Sequence, residues 1–129
     1  MHSHYEEMRA HVATEVPLEG CGLLAGEKGK SRAIFLIRNE AESSTRFIMA
    51  AKEQLKAFTD IEREGWELLA IYHSHPNGPP HPSQTDLGES LYPGVAHLIW
   101  SQQAGEWSCL AYLLDDQRIQ PLEFSIVAE

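Results

Sequence analysis

Four residues in one short stretch, His73, His75, Ser83 and Asp86, are of types that ligate a metal or stabilise charge. His73 and His75 stand two apart at the end of a predicted strand, where alternate side chains project to one side, so two imidazoles can converge. Asp86 lies on a predicted helix that a proline-rich loop can fold back, completing two nitrogens and one carboxylate oxygen. Three protein ligands with an open fourth position is the arrangement of catalytic zinc. Structural zinc is normally closed by four ligands, and no Cys lies close by in sequence to close this one.

Such a site lowers the pKa of a water toward about 7 and polarises a carbonyl. A general base must then take the water's proton. Glu19, just before the first predicted strand, can lie across the sheet from the His pair, and the Ser83 hydroxyl can donate to the oxyanion formed at the attacked carbonyl. The set specifies metal-assisted hydrolysis.

The elements that must position these groups can be read from local pattern. Met8, His11 and Val12 recur at helical spacing over Tyr5 to Glu15, with Ser3 as a cap and Pro17 beyond the end. Cys21 to Glu27 and Arg32 to Asn39 read as a β-hairpin turning at Lys28-Gly29-Lys30. Ala50 to Glu64 places Ala51, Leu55, Phe58 and Ile61 on a 3.6-residue repeat, closed by Gly65. Glu67 to Tyr72 is a strand with the continuous apolar run Leu68 to Ile71, of the kind buried on both faces, and it leads into His73-Ser74-His75. Pro76, Pro79, Pro80 and Pro82 stiffen the loop that follows.

Ser83 to Leu91 reads as a short third helix with Ser83 and Asp86 in its first turn. Val95 to Trp100, Trp107 to Leu114 and Arg118 to Phe124 read as three further strands. The expected class is α/β, one domain over residues 1–129, with a mixed sheet flanked by helices.

Composition narrows the partners. A chain of 129 residues with 43% hydrophobic content supports one core. The 10 Lys and Arg against 19 Asp and Glu give a formal net charge of −9, which repels phosphate backbones and anionic lipid headgroups. Nucleic acid and membrane are therefore excluded as expected partners. No apolar run approaches the ~20 residues that cross a bilayer. With no secretory-type apolar stretch from Met1 to Arg9 and only two well-separated cysteines, Cys21 and Cys109, a cytoplasmic protein with reduced thiols is expected.

His73-x-His75, seven residues, then Ser83-x-x-Asp86, resembles the signature of the JAMM (MPN+) metalloproteases without a gap or substitution. Glu19-Gly20-Cys21-Gly22-Leu23-Leu24 is similar to that family's upstream glutamate segment, and Tyr72-His73-Ser74-His75-Pro76 matches its context. The resemblance implies an MPN-like fold and Zn2+ on His73, His75 and Asp86. It also implies that Glu19 activates water and Ser83 stabilises the oxyanion. The substrate class it implies is the C-terminal tail of a small ubiquitin-like or sulfur-carrier protein, cut at an amide bond. Two other readings are a non-catalytic scaffold of the same fold, against which the presence of all the ligands and the Glu counts, and a DNA-repair-associated relative, which the acidic charge opposes.

Bland roles compete for other residues. Glu15 rivals Glu19 but belongs to the end of the first helix, where solvent is its natural neighbour, and the resemblance favours Glu19. His2 and His4 repeat the H-x-H spacing at a terminus expected to fray. His81 reads as an exposed loop histidine and His97 as a core residue. Cys21, inside an apolar run, reads as a small hydrophobe rather than a nucleophile. Trp66, Trp100 and Trp107 read as core or sheet-face aromatics.

Overall fold

A computed structural model describes residues 3–82, 95–115 and 118–124 of the chain. The expected third helix, with Ser83 and Asp86, lies outside the described residues. Helix α1 spans His4–Glu15. Its first turn is capped by Ser3, whose Oγ accepts the Glu6 N–H at 3.2 Å, and it carries Glu6 and Glu7 against the positive end of the helix dipole. The helix stops one residue short of Pro17, because a residue before proline is pushed out of helical geometry; Val16 has φ −51° and ψ 133°.

Strands β1 (Cys21–Glu27) and β2 (Lys30–Ile37) form the expected hairpin, two residues tighter than the Arg32 start anticipated. Lys28 at φ 53° and Gly29 at φ 76° make a two-residue turn with both dihedrals positive, the kind whose twist suits a right-handed hairpin. Helix α2 spans Ala51–Glu64 and closes on Gly65 at φ 72°, with Trp66 N–H returning to the Ile61 carbonyl at 3.0 Å.

Its buried stripe differs from the one expected. Ala57 and Ile61, four apart, face the sheet with Phe58 beside them, while Leu55 lies on the far side of the helix, 68% exposed. Two residues turn an α-helix by about 200°, so Leu55 and Ala57 cannot share a face. Sheet packing chose the Ala57 side.

Strand β3 runs Glu67–His75, past the Tyr72 end expected from its apolar run. The extension comes from pairing on both edges: antiparallel to β1 with Cys21 opposite His73, and parallel to β4 (Ala96–Gln103) out to His75 opposite Ser101. Strands β5 (Glu106–Asp115) and β6 (Arg118–Leu122) complete an antiparallel meander. Among the described residues the sheet has the order β2-β1-β3-β4-β5-β6, so it is mixed, with β3 and β4 central.

Each face of this sheet carries its own core. On the α1 side Met8 and Val12 pack with Ala70, Tyr72, Leu98 and Trp100. On the α2 side Cys21, Leu23, Ile37, Ala57 and Ile71 pack together. Trp100 is fully buried, while Trp66 and Trp107 are half-buried. Neither described helix is long and apolar enough to cross a membrane.

Candidate metal centre

Alternation along β3 separates its side chains. Tyr72 joins the α1-side core, whereas Ile71 joins the α2-side core and His73 and His75 follow it to that face. Because Cys21 opposes His73 in an antiparallel pair, stepping back two residues on β1 and forward two on β3 brings Glu19 opposite His75. The ladder continues that far: Ser74 N–H donates to the Gly20 carbonyl at 3.0 Å, and Gly20 N–H donates to Ser74 Oγ at 2.7 Å.

The result is a buried trio. Glu19, His73 and His75 are 2%, 0% and 6% exposed, and one ligand atom of each lies within 4.8 Å of the others. The two Nε2 atoms are 3.1 Å apart. His75 Nδ1 is 2.9 Å from the Pro79 carbonyl, an acceptor only, so this nitrogen carries the proton and Nε2 keeps its lone pair toward the cluster. The His73 ring is stacked on Phe47 at 4.6 Å between centroids and 24° between planes.

This donor set fits a divalent metal. Nitrogens at about 2.0–2.1 Å from a tetrahedral zinc stand about 3.3 Å from each other, close to the separation found here. A carboxylate and two imidazoles held out of water also favour a cation between them, since a buried negative charge is costly unless paired. The proline-rich loop is pinned over the neighbouring strands: Gln102 Nε2 donates to the Pro76 carbonyl at 3.0 Å, and the Tyr112 hydroxyl donates to the Pro80 carbonyl at 2.8 Å.

Of the residues singled out in the sequence, Glu19, His73 and His75 come together, and Ser83 and Asp86 lie outside the described residues. Glu15 lies instead with His11, whose Nε2 is 3.9 Å from its carboxylate, and it is half-buried rather than solvated. His81 is exposed beside Pro82, and His97 is buried on β4. His4 corrects the expectation of a frayed terminus: it begins α1, with Nδ1 2.7 Å from Ser31 Oγ. His2 is outside the described residues.

Cys21 is fully buried, and burial, reinforced by Glu19, pushes its thiol up to about 12. Its Sγ–H points to the Ile37 carbonyl at 3.4 Å, so it packs and does not attack. Phe47 and Asn39, which touch His73 and Glu19 respectively, gave no signal in the sequence, because a lone Phe in a connection and an Asn closing a predicted strand both look ordinary.

Residues 1–112 match the family model described as prokaryotic homologs of the JAB domain. A probable TtuB-protein conjugate cleaving protease of Thermus thermophilus is 46% identical over 87 residues, covering 67% of this chain and 59% of that longer protein. A desampylase of Pyrococcus furiosus is 32% identical over 127 residues, covering 98% of this chain and 87% of that protein. The solution structure of a Desulfitobacterium hafniense protein superposes with a TM-score of 0.86 at 31% identity, covering 97% of this chain and 89% of that one.

Proposed function

The chain belongs to the family of prokaryotic homologs of the JAB domain, and from that premise we propose that it is a zinc-dependent peptidase of the JAMM type. Its substrate in this reading is a small ubiquitin-like or sulfur-carrier protein, cut at an amide or isopeptide bond on the C-terminal tail. The observation that carries the proposal is the buried convergence of the Glu19 carboxylate with the His73 and His75 imidazoles within 4.8 Å.

His73 and His75 would hold Zn2+ through Nε2, with Asp86 as the third ligand. When bound, Zn2+ would lower the pKa of the attacking water and polarise the scissile carbonyl. Glu19 takes the proton from the attacking water and delivers it to the departing amine, work suited to a carboxylate held beside the ligands. Ser83 donates to the oxyanion. The substrate's tail adds as an extended strand beside the sheet, which leads its last carbonyl to the site. Two buried thiols, Cys21 and Cys109, favour the cytoplasm as the working compartment.

Mass spectrometry of carrier proteins with C-terminal extensions tests the reaction and the substrate together. The wild-type protein is expected to release the extension at one bond, and both Glu19→Gln and chelator-treated protein to leave it intact. A panel of carrier conjugates left whole by zinc-loaded protein overturns the reading.

A further inference from the structure

The side chain of Asn39, two residues past the end of β2, is 2% exposed and saturated with hydrogen bonds that the hydrolytic scheme does not use. Its Nδ2 donates to the Glu19 carbonyl and to the Arg46 carbonyl, each at 3.1 Å. Its Oδ1 accepts the Ala41 N–H at 3.0 Å and the Ile48 N–H at 2.9 Å. One amide therefore reaches Glu19 on one side and closes the connection from residue 40 to residue 48 on the other.

That connection touches the metal centre at two points. Its Ser43 carbonyl accepts the Glu19 N–H at 2.8 Å, so both backbone groups of Glu19 are held by Asn39 or by the segment Asn39 closes. Its Phe47, between the Arg46 and Ile48 contacts, is the ring stacked on His73. A buried amide with all its groups paired has few alternative arrangements, since any rotation would strand polar atoms away from water.

We propose that Asn39 is a positioning residue for this site, holding Glu19 by its backbone and pressing Phe47 onto His73, so that base and ligand keep one fixed relation. The inference rests on the peptidase reading for its kinetic arm only. Groups that orient ligands from behind typically alter metal affinity or activity by about 10- to 100-fold when removed.

The test compares full-length Asn39→Ala, Asn39→Asp, Phe47→Leu and Phe47→Tyr with wild type. Zn2+ affinity is measured by competition with a chromophoric chelator, kcat and KM on a cleavable carrier conjugate, and folding by thermal melting. Met8→Ala, in the core on the opposite face, serves as the destabilised control. Asn39→Ala and Phe47→Leu are expected to lose about 10-fold or more in Zn2+ affinity and in kcat with KM held. Phe47→Tyr, which keeps the stacked ring, restores both.

Asn39→Asp keeps the acceptor for the Ala41 and Ile48 N–H groups but removes the donor to the Glu19, Ser43 and Arg46 carbonyls, so it is expected to lose both affinity and kcat, as Asn39→Ala does. Met8→Ala lowers the melting temperature and moves neither. Wild-type affinity and kcat in folded Asn39→Ala and Phe47→Leu overturn the proposal, as does an equal loss in Met8→Ala. If Asn39→Ala does not fold, the two Phe47 variants decide. A wild-type protein that binds Zn2+ but cuts no conjugate sinks the peptidase reading and leaves the affinity arm to decide this one; failure to bind Zn2+ overturns both.

Discussion

Each face of β3 meets a histidine group with a glutamate nearby, partly buried on the α1 side and fully buried on the α2 side, and the two groups do different things. On the α1 side, His11 Nδ1 is 2.7 Å from the Tyr72 hydroxyl, and Glu15 stands 3.9 Å from the other ring nitrogen. On the α2 side, His73 and His75 turn their Nε2 atoms toward each other at 3.1 Å with Glu19 beside them. The first set ties helix to sheet, each group facing a protein partner. The second converges on a common point. Residue type is shared between them, so convergence of donor atoms is what sets a cluster that could hold a metal apart from a clamp.

The α1 clamp has its own requirement in the sequence. Tyr72 lies across from Gly22 in the β1–β3 register, and a Cβ on Gly22 would come 2.3 Å from the Tyr72 ring. The ring fills the space a side chain would take. Burial pushes the Tyr72 phenol far above its ordinary range, so it stays a neutral hydroxyl available to His11.

The contrast breaks most sharply if metal responds to the wrong histidine. His73→Ala is expected to strip the metal and reduce hydrolysis to background, while His11→Ala retains the metal; elemental analysis of the purified variants reads this directly. Next in size, Glu19→Gln should keep the metal and lose turnover by about 10²- to 10⁴-fold, the usual reach of a general base. Glu15→Gln should leave turnover unchanged in the same assay, because Glu15 is on the clamp side.

A smaller effect is expected at Tyr72→Phe. Removing the hydroxyl costs about 1 kcal/mol of stability in urea denaturation, the ordinary net worth of one hydrogen bond, with metal content preserved. The smallest effect is in pH dependence. Burial holds His11 below its ordinary 6.5, partly offset by Glu15. The unfolded chain therefore takes up that proton first as pH falls, so this contribution is intact above 6.5 and is lost through the window between 6.5 and the lower folded value. His11→Gln should flatten that part of the slope when urea midpoints are compared between about pH 7.5 and about pH 5.

Much of the fold was legible locally because its signals are local. Ser3 before α1, Gly65 after α2 and Lys28-Gly29 in the hairpin act within a few residues of themselves. The His73 and His75 pair was legible for the same reason, since a period of two on a strand puts them on one side whatever surrounds them. The buried side of α2 was not, because Leu55 and Ala57 both belong to apolar patterns and only the sheet beneath selects between them.

By itself, then, the sequence determined the element types over the described residues, the Lys28-Gly29 turn, the shared direction of the two imidazoles and the net negative charge. Tertiary structure alone decided that β3 runs on to His75, that Glu19, two residues before β1 and more than fifty before His73, arrives beside it, and that Asn39 and Phe47 touch Glu19 and His73. The reason is that local propensity acts over one turn or one pleat. Which strands lie side by side, and in what register, depends on how whole faces bury their apolar area together.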